Sequence, residues 1–231
     1  LHADAVFSDD ELAIARTLLD DLGEPPSDCP SASCISRTAQ FRVWRCPTQA
    51  AKFDEYVTEL ELPVSLESFV TMTSSPRLRK TWDSTTAYIK VLSAEGPTVL
   101  QKLHAELGDI MTLSWGVNTP FPLSNRQYVM TRRLGVVPGI ASAYFLVDVL
   151  VPPTSPLAAI PTEKYVRVRD YCNYCLMVLD EDTGCVRVRT RYREDPMILL
   201  PSWLIGWITE KLLPGSVRAL IHAAVKFQAA S

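Results

Sequence analysis

The 231-residue sequence lacks the features that mark several large classes of protein. Its longest apolar runs, over 144–153 and 197–207, are shorter than the ~20 residues of a membrane-spanning helix or are broken by proline. It has no long run of one charge, and its formal net charge of −3 creates no global field that would attract nucleic acid. We therefore expect neither a transmembrane helix nor a nucleic-acid partner.

Motifs for catalysis are missing too. The sequence contains no G-x-S-x-G nucleophile elbow and no glycine-rich phosphate loop. Among its few histidines, His104 and His222 have no obvious nucleophile partner. We expect a protein that is not an enzyme and that needs no cofactor.

Cysteine is too sparse for a disulfide scaffold, with six residues in the whole chain. Cys172 and Cys175 form a C-x-x-C, but no second ligand pair accompanies them, because Cys185 stands alone and the flanking residues are strand-like. We expect no metal site. The thiols are predicted to be buried or half-buried as small hydrophobes in a reducing compartment.

A strong helix signal opens the chain. Ser8 and Glu11 form a capping box, and apolar residues then recur at helical spacing. Gly23 and the Pro25-Pro26 pair stop this helix, which is predicted over about 8–22. Residues 25–36 are rich in proline, serine and cysteine and are predicted to form a loop.

The segment 115–128 organises the rest of the chain. Apolar residues alternate with small or polar ones over 110–118, which predicts a strand with one apolar face. Two prolines then force a turn, and a second strand follows over 126–134. Trp115 and Tyr128 should therefore lie at the same end of this corner. We interpret them as part of a pocket for a lipid headgroup.

The remaining pattern consists of runs of strands bracketed by helices, which predicts an α+β fold with a curved antiparallel sheet. We find no internal repeat, so residues 1–231 are expected to form one domain. Two short helices are predicted over 63–72 and 76–82, and strands over 41–46, 52–60, 85–93, 100–106, 110–118, 126–134, 144–151, 165–179 and 185–193.

The last segment, about 201–229, is predicted to be a helix in two pieces, because Pro214-Gly215 interrupts it. Each piece has an apolar stripe, and basic residues repeat every four positions on another side. One interpretation is core packing with a solvated face. The other is a lid that contacts membranes through aromatic and basic residues, namely Trp203, Trp207, Arg218 and Lys226.

Three segments resemble landmark segments of START lipid-transfer domains: LRKTWD at 78–83, PFPLSNR at 120–126 and PSWLIGW at 201–207. They follow one another in the same order and at compatible spacing, so the resemblance covers nearly the whole chain. It implies a helix-grip fold, in which a curved antiparallel sheet wraps around a long C-terminal helix and encloses a tunnel for one lipid.

The resemblance also implies a headgroup site. In START domains that carry phosphatidylcholine, an arginine pairs with the phosphate and aromatic rings surround the choline. The matching positions are Arg79 for the phosphate and Trp115, Tyr128 and Tyr171 for the choline. A quaternary ammonium donates no classical hydrogen bond, so it is best held by aromatic faces, at about 2 kcal/mol or more per desolvated contact. Taken alone, each of these residues is typical of ordinary packing or of a solvated helix.

Residues with matching strand parity are expected to line the tunnel as well: Arg167, Asn173, Met111, Leu113 and Met130. A buried Arg167 would need a carboxylate partner, for which Asp148 is the candidate.

Three functions remain open at this point. The first is a soluble, cytoplasmic monomer that binds one phospholipid, phosphatidylcholine, and shuttles it between membranes through transient surface contact. The second is a lipid-sensing module of a larger protein. The third is a carrier for another phospholipid, a sphingolipid or a sterol. A targeting sequence upstream of Leu1 is left open.

Overall fold

A computed structural model describes residues 6–48, 53–95, 110–120, 123–162, 164–195, 207 and 212–230. Over these residues, ten strands form one sheet, accompanied by four α-helices and one short 3₁₀ helix. The predicted α+β fold with a large antiparallel sheet is confirmed. The strand predicted over 100–106 lies outside the described residues.

The helices are α1 (Asp9–Asp20), α2 (Leu66–Ser74), α3 (Pro76–Trp82), the 3₁₀ helix (Pro156–Ala159) and α4 (Leu213–Ala230). The strands are β1 (Ser33–Arg37), β2 (Phe41–Cys46), β3 (Glu55–Leu62), β4 (Thr86–Glu95), β5 (Ile110–Val117), β6 (Arg126–Val136), β7 (Ala143–Leu150), β8 (Val166–Arg167), β9 (Tyr171–Leu179) and β10 (Val186–Glu194).

The sheet has the order β1-β2-β3-β10-β9-β7-β6-β5-β4, with every neighbouring pair antiparallel. The short β8 pairs in parallel with the start of β6. This pairing occupies the part of β6 that β7 does not reach, because the β6–β7 register begins only at Met130.

The two faces of the sheet carry different helices. We call the face that packs against α2 and α4 the inner face and the face that packs against α1 the outer face. On the inner face, Val217 and Ile221 of α4 join one buried apolar cluster with strand residues such as Met130. On the outer face, Ala15 of α1 packs with Phe145 and its neighbours. Burial of apolar surface on both faces fixes which side chains point toward α4.

The predicted start of α1 is confirmed in detail. The Glu11 N–H donates to Ser8 Oγ at 3.3 Å, and the Ser8 N–H donates to Glu11 Oε2 at 2.9 Å. The helix ends at Asp20, two residues earlier than predicted. Gly23 has a φ of 90°, and its N–H donates to both carboxylate oxygens of Glu59 at 3.1 and 2.9 Å. The α1–β1 connection is therefore fastened to β3.

Two strand predictions differ from the structure. Strand β1 lies partly within the predicted loop over 25–36; its side chains are exposed or half-exposed, so it shows no apolar alternation. The predicted strand over 165–179 is two strands, β8 and β9, which pair with different neighbours.

Helix α4 runs through both Pro214 and Gly215. The first of the two predicted pieces falls mostly outside the described residues, so the two-piece helix stays a prediction. Pro214 is the second residue of this element. A proline is tolerated in the first turn because its missing N–H has no intrahelical acceptor there.

Gly116 of β5 lies directly under the ring of Tyr88, its cross-strand partner on β4. A Cβ at this position would overlap the ring carbons. The Tyr88 hydroxyl accepts a hydrogen bond from Gln127 Nε2 at 2.7 Å, and its ring packs edge-on against Tyr165, so the ring is held from two sides.

Gly116→Ala is therefore expected to destabilise the protein by about 1–3 kcal/mol, the usual cost of overpacking. The change would be measured as a lower urea midpoint, and Tyr88→Ala in the same chain should recover part of it. Gly215→Ala is the control, because its Cβ meets nothing within 4 Å and it lies in a helix. Equal midpoints for Gly116→Ala and the parent protein would contradict the overlap.

Candidate headgroup site

Four aromatic rings from four strands meet on the inner face, and we call them the aromatic cluster: Trp115, Tyr128, Tyr171 and Tyr192. Trp115 and Tyr128 are directly paired across β5 and β6, with ring centroids 5.3 Å apart. Tyr128 lies 5.0 Å from Tyr171, and Tyr171 lies 5.8 Å from Tyr192. The corner between the strands is held by Asn125 Oδ1, which accepts from the Thr119 N–H at 3.1 Å. The sequence placed the first three rings at this site, but it did not single out Tyr192.

Arg79 lies at the edge of the aromatic cluster. Helix α3 is capped by Ser75. It places the half-buried Arg79 with its guanidinium carbon 4.5 Å from the Trp82 ring centroid and 4.9 Å from that of Trp115. Arg79 Nε donates to Asp83 Oδ2 at 2.8 Å. Burial raises the pKa of Asp83, but the Arg79 charge and hydrogen bonds from Thr85 outweigh it, so that pKa is lowered overall. The bond to Asp83 uses Nε, and the two amino groups of the guanidinium carry its other four N–H donors.

A buried ion pair lies deeper on the same face. Arg132 of β6 donates through Nε and Nη2 to the two carboxylate oxygens of Asp148 on β7, at 2.8 and 2.9 Å. Its Nη1 donates to the Ser74 carbonyl at 3.0 Å. Burial lowers the pKa of Arg132, but Asp148 raises it by more. The sequence analysis did not single out Arg132. Its position four residues after Tyr128 in the same strand could have indicated that both side chains lie on one face.

Arg167 does not lie with the aromatic cluster. Its guanidinium donates to Gln127 Oε1 at 3.0 and 3.2 Å and to the Ala158 carbonyl at 2.9 Å. Gln127 precedes Tyr128 in β6, and consecutive strand residues point to opposite faces, so Arg167 lies on the outer face. The proposed pairing with Asp148 is replaced by Asp148–Arg132. The prediction for Arg167 assumed that one unbroken strand continues to Tyr171. Residues 168–170 separate β8 from β9, so the alternation of faces does not carry across.

The other expected lining residues lie on the inner face. Asn173 is half-buried and is paired in register with Asp148 and Tyr192. The remaining three are fully buried in the apolar cluster that contains Tyr128 and Tyr171: Met111, Leu113 and Met130. Whether they line a lipid tunnel stays a prediction.

Glu194 is an acidic residue of the site that sequence reasoning missed. Its carboxylate accepts hydrogen bonds from the Tyr128 hydroxyl at 2.8 Å and from the Tyr192 hydroxyl. Arg126 Nε lies 3.9 Å away. Burial raises the pKa of Glu194, and the hydrogen bonds from Tyr192 and Tyr128 and the Arg126 charge lower it in part. The sequence could have indicated this position, because Glu194 is an even number of residues away from the inner-facing residues of β10.

The C-terminal helix presents two sides, as predicted. Val217 and Ile221 are buried on the inner face, whereas Arg218 and Lys226 are exposed. Trp207 has 37% of its surface exposed. Trp203 lies outside the described residues. No helix in the described part of the chain is long and apolar enough to cross a membrane.

Two cavities among the described residues are large enough to note, and only one of them touches the aromatic cluster. One, of about 450 Å³, is lined by Gly23, Arg42 and Trp44 with their neighbours. The other, of about 400 Å³, lies where β9 begins and is lined by Tyr171 of the aromatic cluster together with Arg169, Tyr174 and their neighbours. The lipid tunnel itself therefore stays a prediction.

Five cysteines are buried or half-buried, as predicted, but Cys34 is exposed. Cys172 and Cys175 are three residues apart in β9, so their side chains point to opposite faces and cannot share a ligand. Burial raises the pKa of Cys175 to about 12, which keeps it a thiol. Over the described residues, no group of three or more histidine, cysteine or acidic side chains could hold a metal ion.

This architecture, a curved antiparallel sheet closed by a C-terminal helix with Arg79 and the aromatic cluster on its inner face, is the helix-grip fold of START domains. Two solved human structures share it. STARD10 gives a TM-score of 0.70 at 17% identity and covers 95% of this chain and 80% of its own. StAR-related lipid transfer protein 5 gives 0.70 at 14% identity and covers 96% and 99%. At these identities the likeness establishes the fold alone.

Curated protein sequences show which lipid-transfer proteins this chain is similar to. Mouse phosphatidylcholine transfer protein is 28% identical over 149 residues, which span 64% of this chain and 62% of the relative. Mouse StAR-related lipid transfer protein 7, mitochondrial, is 23% identical over 190 residues, which span 80% of this chain but 47% of the relative. No family model matches the chain. The resemblance to START lipid-transfer domains is confirmed, and the matched region spans less than two thirds of either relative.

Proposed function

We propose that this chain binds one phosphatidylcholine molecule on the inner face of its sheet and carries it between membranes. The observation that supports this most is the convergence of Arg79 with Trp115, Tyr128 and Tyr171, which come from four separate elements. An arginine beside several aromatic rings offers partners for both charges of a phosphocholine headgroup.

The headgroup is held by two kinds of contact. The Arg79 guanidinium offers planar N–H donors to the phosphate, and such charge-assisted bonds are about twice as strong as neutral ones. The choline nitrogen carries a positive charge without an N–H, so the ring faces of the aromatic cluster attract it by cation–π interaction.

The acyl chains need only apolar wall, and each buried methylene contributes about 0.8 kcal/mol. The inner face supplies such surface in methionine and leucine side chains between the strands and α4. Transfer is then a partition of the lipid between bilayer and protein, with no bond made or broken. The exposed Arg218 and Lys226 on α4 would bring the helix to an anionic membrane surface.

The function is tested by incubating the protein with vesicles that contain equal amounts of phosphatidylcholine, phosphatidylethanolamine, sphingomyelin and cholesterol. Native mass spectrometry of the recovered protein should show one bound lipid, mainly phosphatidylcholine. The loaded protein should then deliver it to acceptor vesicles. Retention of sterol alone, or of no lipid, would contradict the proposal. Retention without delivery would favour a lipid-sensing module.

A further inference from the structure

The carboxylate of Glu194 lies behind the aromatic cluster, and its hydrogen bonds distinguish it from the other acids of the site. Asp83 and Asp148 each accept hydrogen bonds from an arginine. Glu194 instead accepts from the hydroxyls of Tyr128 and Tyr192, and Arg126 Nε is 3.9 Å away, beyond hydrogen-bond length. Arg126 and Glu194 still form a buried ion pair at this distance, so the carboxylate faces one arginine and two phenols.

Resting on the proposed function, we propose that Glu194 is a positioning residue that makes the aromatic cluster selective for cationic headgroups over anionic ones. A phenol that donates to a carboxylate is polarised, which makes the face of its ring more negative. The carboxylate also adds its own negative potential at close range, where the low dielectric of the interior strengthens it. Both effects favour the choline nitrogen and oppose a headgroup that carries only negative charge.

The two phenols do not by themselves require a charged acceptor, which suggests a role for the acid beyond packing. A neutral acceptor such as a glutamine could accept from the same two hydroxyls without the cost of burying a charge. Glu194 is the cross-strand partner of Tyr171, so it shares the inner face with that ring as well. Tyr128, Tyr171 and Tyr192 thus surround one carboxylate from three strands.

The test is Glu194→Gln, which keeps the shape and removes the charge. The protein is incubated with vesicles of equal phosphatidylcholine, phosphatidylethanolamine and phosphatidylglycerol, and bound lipids are counted by native mass spectrometry. We expect the ratio of bound phosphatidylcholine to phosphatidylglycerol to fall roughly tenfold. The ratio of phosphatidylcholine to phosphatidylethanolamine should change by less than about twofold, because both headgroups carry a positive nitrogen. Glu61→Gln, at an exposed position of β3, is the control for net charge.

The outcomes separate the two proposals. An unchanged ratio in folded Glu194→Gln, with a selective parent protein, overturns the role of Glu194 and leaves the proposed function intact. A parent protein that retains no phospholipid overturns both. If Glu194→Gln fails to fold, the double variant Tyr128→Phe/Tyr192→Phe decides. It ends the polarisation of both rings, and the loss of two hydrogen bonds favours the neutral form of the buried Glu194, so the same ratio should fall. An unchanged ratio there overturns the inference.

Discussion

Arg79→Ala and Trp115→Ala are each expected to abolish phosphatidylcholine pickup without unfolding the protein. The arginine would lose two charge-assisted hydrogen bonds to phosphate, each about 1.5–3 kcal/mol, which lowers affinity more than a hundredfold. The tryptophan would lose a desolvated cation–π contact of about 2 kcal/mol and also the surface on which Arg79 lies. Native mass spectrometry after incubation with phosphatidylcholine vesicles measures the bound fraction.

Matched variants distinguish the loss of these contacts from a general loss of folded structure. Arg79→Lys keeps the charge but loses the planar donors, so it should retain part of the pickup. Trp115→Phe keeps a ring but loses the N–H that donates to Thr86 at 3.1 Å. Arg16→Ala changes an exposed arginine of α1 and should have no effect. Normal pickup by Arg79→Ala or Trp115→Ala, with unchanged circular dichroism, would mean that the headgroup binds elsewhere.

The part of the fold that the sequence predicted is the part with strong local chemistry. The capping box at Ser8 fixed the start of α1, and the corner after Trp115 placed that ring opposite Tyr128 because hairpin pairing follows from two alternating strands and a short turn. Helix α3 was predicted at its observed bounds, since a proline at the first position and a capping serine define its start.

The features that the sequence could not predict depend on which strands become neighbours. Tyr192 and Glu194 lie at the site of the aromatic cluster only because β10 pairs with β9. The sequence of β10 does not indicate which strand will be its neighbour. Asp148 pairs with Arg132 rather than Arg167 because β7 lies against β6. The three-residue break between β8 and β9 reverses the parity on which Arg167 was placed, and a single irregular residue is enough to do so.

The buried pair of Arg132 and Asp148 gives the largest expected effect on stability. Both side chains are almost completely buried, with 4% and 2% of their surface exposed, so solvent does little to screen them. Asp148→Ala would leave the Arg132 charge uncompensated, and we expect it to lower the free energy of unfolding by about 3–5 kcal/mol. Asp54→Ala, which breaks a more exposed pair with Arg45, should cost only about 0–1 kcal/mol.

Removing both charges tests whether the pair stabilises the protein or only avoids an unpaired charge. Arg132→Leu/Asp148→Leu should be much closer to the parent in urea unfolding than Asp148→Ala, since apolar side chains often replace a buried pair at no cost. The double variant loses the donor to the Ser74 carbonyl, so a residual deficit of about 1–3 kcal/mol is expected from that acceptor. If Asp148→Ala unfolds at the same urea concentration as the parent, then Arg132 has found another partner and Asp148 is not needed to compensate its buried charge.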